Sequence, residues 1–109
     1  MTLSMELTNA TVHVRANIYF EGRVISHTLI MANGERKTVG VILPGHYHFG
    51  TRQSERMEII DGEAQVLLDG GDKGTSYSAG QAFEIPADSG FTITVTDEPC
   101  NYVCSFIGE

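Results

Sequence analysis

The segment Gly40–Gly62 reads GVILPGHYHFGTRQSERMEIIDG and carries two turn signals around a short run of extended character. Pro44-Gly45 opens it and Asp61-Gly62 closes it. Between them lie two histidines one residue apart, His46 and His48, and a carboxylate, Glu55. Side chains alternate across a strand with period 2. If 45–49 is extended, His46 and His48 point one way and Tyr47 and Phe49 the other. Two stacked imidazoles beside a carboxylate suit a metal, an anion or proton transfer.

The flanking chain reads as more strands of the same length. Arg23–Ile30 is rich in β-branched residues and ends near Asn33-Gly34, whose residues tolerate the positive φ of a tight hairpin turn. The return run 36–43 puts Val39, Val41 and Leu43 on one face. After Gly62, Ala64, Val66 and Leu68 alternate; later Phe91, Ile93 and Val95 do so, and 101–107 ends the chain as a strand. Residues 69–74, DGGDKG, form a loop by composition. No stretch shows a 3.6-residue apolar period. Eight to ten short strands with closely spaced turns predict an all-β, single-domain antiparallel double-sheet β-roll, a jelly-roll barrel. Residues 1–16 form a lead-in in which 11–14 can add an edge strand; residues 17–109 form the barrel domain.

Composition narrows the function. The chain has 109 residues, enough for one modest core, and 19% charged against 41% apolar residues argues against disorder. Fourteen acidic against seven basic residues give a net charge of −7, which repels a polyanion, so nucleic acid is not an expected partner. No apolar run is long enough to span a membrane, and the first nine residues lack a secretory pattern. On one strand Cys100 and Cys104 would sit about 13 Å apart, too far for a mutual disulfide. They read as reduced thiols, and the expected compartment is the cytoplasm.

Gly40, His46, His48, Glu55 and Gly62, followed by Gly80 and Pro86, resemble the two motifs of the cupin superfamily. The gap from His48 to Glu55 is longer than usual there, and Asp88 and Phe91 stand where the second motif has Gly and His. The order of TyrPheGluGlyArgVal (19–24), ProGlyHisTyrHisPhe (44–49), GluArgMetGluIleIleAspGly (55–62), AlaGlyGlnAlaPheGluIlePro (79–86) and TyrValCys (102–104) is similar to the cupin-like pyrimidine/purine nucleoside phosphorylase family. That family is also compatible with Glu and Thr at positions 46 and 48, so its general mechanism is not histidine-based.

The resemblance implies reversible phosphorolysis of diverse nucleosides, with inorganic phosphate as co-substrate and no required cofactor. Such a reaction passes through an oxocarbenium-like state. Phosphate calls for Arg52, supported by His46 and His48; Arg23 and Arg56 are expected on the solvated surface. Ribose hydroxyls call for Glu55, then Glu58, and a carboxylate near the anomeric carbon stabilises positive charge. Base stacking calls for Tyr47, Phe49, Phe20 or Phe91. The catalytic expectation is therefore Glu55, His46 and His48; the substrate-binding one is Arg52, Tyr47, Glu58, Phe91 and Phe20. Two other readings stay open. One is a metal-dependent oxygenase or isomerase with a transition metal on His46, His48 and Glu55. The other is a non-catalytic small-ligand binder. A homodimer is the expected assembly.

Overall fold

The computed structural model describes residues 5–108; the first four residues of the expected lead-in, and Glu109, lie outside them. The strands are β1 (Ala10–Val12), β2 (Asn17–Tyr19), β3 (Val24–Met31), β4 (Arg36–Ile42), β5 (Gly45–Gly50) and β6 (Ser54–Asp61). They continue with β7 (Glu63–Leu68), β8 (Thr75–Ser78), β9 (Ala82–Ile85), β10 (Gly90–Val95) and β11 (Cys100–Ile107). A seven-stranded sheet runs β1-β3-β4-β11-β6-β9, with β2 also paired to β3. A four-stranded sheet runs β5-β10-β7-β8. All pairings are antiparallel, and the sheets face each other as the expected double-sheet roll.

Alternation decides which residues fill the space between the sheets. Tyr47, Ala64, Val66, Phe91, Ile93 and Val95 are buried from the four-stranded sheet. Val24, Ile42, Met57, Ile59, Phe83, Ile85, Tyr102 and Cys104 are buried from the larger one. Full burial of an Ile or Val contributes about 1.5–3 kcal/mol. Ile59, fully buried on β6, is such a residue, and Ile59→Ala is expected to cost about 2–5 kcal/mol.

The strands number eleven among the described residues, above the eight to ten expected. The addition is β8, whose sequence TSYS gives one apolar face residue, Tyr77, stacked on Phe83 at 4.7 Å. At the β3–β4 turn only Gly34 has positive φ, +89°, and Asn33 instead accepts a hydrogen bond on Oδ1 from Glu35 N–H. The turn is thus a three-residue loop with glycine in the left-handed position, rather than a two-residue one. Gly40 serves a different need: a Cβ there would meet Ile25 O at 2.5 Å, so β4 can lie this close to β3 only without a side chain.

Phe20–Gly22 form a single 3-10 turn after β2. Phe20 and Glu21 both have left-handed φ, 52° and 57°, which costs a non-glycine residue about 1–2 kcal/mol each. The Phe20 ring offsets this by packing on Tyr47 and Phe49, at 5.0 and 5.4 Å between centroids. This anchored turn fixes β2, and with it Tyr19, at the rim of the barrel.

Candidate functional site

The register of the larger sheet lines up its inward side chains in cross-strand rows. At one end, Phe106 on β11 is opposite Glu55 on β6, and Arg36 on β4 reaches it with its guanidinium carbon 4.1 Å above the ring centroid. The next row is Thr38, Cys104 and Met57; the one below it brings Ser26, Gly40 and Tyr102 together. The facing sheet contributes Phe49 paired with Phe91, their rings stacked at 5.7 Å.

Between these walls lies a cavity of about 210 Å³. Phe49, Phe91, Tyr19 and Phe106 give it aromatic surface, while Glu55, Thr38, Ser26, Tyr102 and Cys104 give it a polar side. Its volume is below the roughly 300–1,000 Å³ of drug-sized ligand pockets, so it suits one small molecule.

The polar side is wired. Asn17 Nδ2 donates to Ser26 Oγ at 3.2 Å and Thr28 Oγ1 at 3.1 Å, orienting the hydroxyls on β3. Burial pushes the Tyr102 phenol up to about 12, despite hydrogen bonds to Ser26 and Thr38. Tyr102 therefore remains a neutral donor at any working pH. The Cys104 thiol donates to Glu55 Oε1 at 3.5 Å. Burial, reinforced by the Glu55 charge, raises the Cys104 thiol far above its ordinary value and keeps it protonated. Glu55 itself is raised by burial, against the opposing effects of the Cys104 hydrogen bond and the Arg36 charge.

The expected site residues divide. Glu55 and Phe91 line the cavity, as does Phe49. His46 and His48 do not join Glu55: both are exposed on the outer side of β5, while Tyr47 and Phe49 take the inner side. The predicted alternation holds, but the aromatic pair faces inward because burying two imidazoles without partners costs more than burying two hydrophobic rings. Outside, His46 Nδ1 meets Thr94 Oγ1 at 2.9 Å, and His48 Nε2 lies 3.0 Å from an Asp69 carboxylate oxygen. His46, His48 and Glu55 thus do not form the ligand set of the metal reading; among the described residues no three His, Cys, Asp or Glu side chains converge for an ion.

Four other expected residues do not line this cavity. Tyr47 is a core strut whose hydroxyl donates to Leu43 O at 2.7 Å and lies near Pro44 O at 3.0 Å. Glu58, three residues along β6 from Glu55 and so on the opposite face, meets Arg56 at 3.4 Å. Phe20 lies outside the cavity, behind Phe49. Arg52 is exposed in the β5–β6 connection and does not line the cavity. The cavity is also lined by Thr38, Ser26 and Tyr102, which the sequence does not single out as candidates. Their period-2 spacing with Ile42 and Cys104 was visible, but the side of each strand that faces in was not.

Residues 14–106 match the pyrimidine/purine nucleoside phosphorylase family. A protein of that name from Clostridioides difficile (strain 630) is 44% identical over 104 residues, covering 95% of this chain and 98% of its own. The crystal structure of a protein of unknown function from Acinetobacter sp. ADP1 is 40% identical, with TM-score 0.92 over 95% of this chain and 100% of its own. An oxalate decarboxylase structure shares the cupin fold alone, at 19% identity and TM-score 0.65, over 83% of this chain and 27% of its own. With the match spanning nearly all of the described strands, this cupin-like chain belongs to the pyrimidine/purine nucleoside phosphorylase family.

Proposed function

We propose that the barrel cavity is the reaction centre of a phosphorylase acting on purine and pyrimidine nucleosides. The observation that carries this reading is the pairing of an aromatic wall with a carboxylate-and-hydroxyl wall across one small space. A phosphate oxygen attacks the anomeric carbon of the nucleoside. The bond from that carbon to the base nitrogen breaks, its electron pair leaves with the base, and the base takes up the proton that the attacking phosphate gives up. The products are a pentose 1-phosphate and free base, and the reaction runs in both directions.

Each wall has a task. Phe49 and Phe91 stack the base but carry no hydrogen-bonding group to read its edges, which favours breadth over selectivity. Thr38, Ser26 and Tyr102 offer hydroxyls to the sugar. Glu55, ionised, stabilises positive charge as the anomeric carbon loses the base. Cys104 holds one Glu55 oxygen in place. No cofactor beyond inorganic phosphate enters this scheme.

The test is release of free base from uridine, cytidine, adenosine and guanosine with and without phosphate. Release only with phosphate, undiminished by a chelator, is expected. No phosphate-dependent release from any of them refutes the reading, and loss of activity to a chelator refutes the metal-free scheme.

A homodimer belongs to the same proposal. Ile25, Val39, Val41, Ile60 and Val103 line an apolar groove on the outer face of the larger sheet together with Met5 and Leu7 of the lead-in, and no acidic side chain among the described residues lines it. Two copies can meet there without adding to the repulsion of their −7 net charges. A mass in solution equal to one 11.9 kDa chain would remove this part. Both cysteines are free and buried, as suits a reducing compartment, and we assign the enzyme to the cytoplasm. No helix among the described residues is long and apolar enough to cross a membrane.

A further inference from the structure

A phosphorolytic cavity needs a cation, and the chain has seven Lys and Arg residues to choose from. Arg56 faces outward from β6, with Glu58 at 3.4 Å and Glu84 at 3.6 Å. Lys37 also faces outward, with Ser105 at 2.6 Å and Glu35 at 3.7 Å. Arg23 donates to Pro44 O and lines a separate surface dent with Phe20 and His46. Arg15, Arg52 and Lys73 are exposed in connecting segments.

Arg36 differs from all of these. It shares a face of β4 with Thr38, two residues away, and although it is exposed and does not itself line the cavity, it lies over Phe106, which lines the cavity and pairs with Glu55. Its guanidinium carbon sits 4.1 Å from the Phe106 ring centroid, a cation–π contact that limits the orientations it can take. Among the described residues its side-chain hydrogen bond, to Gln53 Oε1, is long at 3.4 Å. A guanidinium has five N–H donors, so most remain for a ligand. Arg36 forms no ion pair among the described residues, although its charge acts on Glu55. A planar fork of donors, pre-oriented and not neutralised by a carboxylate, matches a phosphate group.

We infer that Arg36 is the phosphate-binding residue, holding inorganic phosphate at the cavity mouth between Phe106 and Glu55. The inference rests on the phosphorylase reading and adds to it the place where the anion enters. The same contact holds the phosphate of the pentose 1-phosphate in the reverse reaction. With the base against Phe49 and Phe91 and the anion at the mouth, the attacking oxygen approaches the sugar from the side away from the base.

The test compares the wild type with Arg36→Gln and Arg36→Lys. Arg36→Gln keeps much of the side-chain length, and its thermal midpoint reports whether it folds. Loss of a charge-assisted contact is expected to raise the KM for phosphate by about tenfold or more. The KM for nucleoside should change by less than about twofold, and the KM for ribose 1-phosphate in the reverse direction should rise with that for phosphate. Arg36→Lys should fall between, since it restores charge without the fork. Independently of turnover, phosphate should raise the thermal midpoint of the wild type and not that of Arg36→Gln.

The inference is overturned if Arg36→Gln keeps the wild-type phosphate KM and the wild-type phosphate-induced thermal shift. It is equally overturned if Arg52→Gln, and not Arg36→Gln, abolishes them. If the wild type cleaves no nucleoside, yet phosphate stabilises it and not Arg36→Gln, the phosphorylase reading fails and the anion site stands. If phosphate neither reacts with nor stabilises the wild type, the anion site fails as well.

Discussion

Glu55→Gln separates the catalytic reading of the cavity from a structural one, because the two predict opposite changes. Gln keeps the shape and can still receive the Cys104 thiol, which lies 3.5 Å from Oε1. It removes only the negative charge. Two unit charges about 4 Å apart at an effective dielectric near 20 attract by about 4 kcal/mol. A transition state carrying roughly half a positive charge on the sugar would lose about 2 kcal/mol, or about 30-fold in kcat. Stability should move the other way. Burial raises the Glu55 carboxyl above its ordinary value of 4.5, so the folded protein holds that proton more tightly than the unfolded chain. The ionised form therefore costs stability, and the cost grows as pH rises from the unfolded value through the raised folded one. Above that window the cost is constant, and Gln removes it. The assays are kcat with uridine at saturating phosphate and thermal unfolding, both across pH. The wild type should lose kcat on the acid side as Glu55 protonates, at a pH above the usual carboxylate range. Glu55→Gln should be slower, flat on that limb, and at least as stable at neutral pH. An unchanged kcat, or a loss of activity matched by a loss of stability, refutes the reasoning.

Three other outcomes follow from the same geometry. Phe91→Leu fills much of the space but removes the stacking face, worth roughly 1–3 kcal/mol per base, so nucleoside KM should rise about tenfold for adenosine and uridine alike. A selective effect on one base class would contradict the shared wall. The double variant His46→Ala, His48→Ala changes the outer face of β5 and should keep phosphorolysis and shift stability by no more than about 0.5 kcal/mol per site; loss of activity would move the reaction centre outside the barrel. Cys100, pushed up to about 11 chiefly by burial, and Cys104, raised further, should resist iodoacetamide at pH 8 in the native protein. Both should react after denaturation, and rapid native alkylation would show that the barrel opens.

Alternation and turn residues made the fold legible in sequence. Val66 and Ile93 fall on the inner face as their period requires, and Gly34 and Gly62 take the positive φ that the turn signals implied. The strand β8 escaped because three of its four residues are Ser or Thr, so no apolar period marks it. The site was harder to read. Period 2 placed His46 and His48 together and Tyr47 and Phe49 together, but it is symmetric and cannot say which pair faces inward. A polar pair in a motif drew attention to the outer face, while the barrel cavity is lined by residues that look ordinary singly. Thr38 and Tyr102 come into view only when the β4–β11–β6 register sets them among Cys104, Met57 and Glu55, and Arg36 only through its contact with Phe106. That register joins positions more than 40 residues apart and has no local signature.

The most direct measurement is the structure of a crystal soaked with a slow nucleoside substrate and phosphate. The base should lie against Phe49 and Phe91, the sugar within hydrogen-bond reach of Glu55, and the phosphate on Arg36. Nucleoside bound on the outer face, at His46 and His48, with the barrel interior unchanged, would contradict the account.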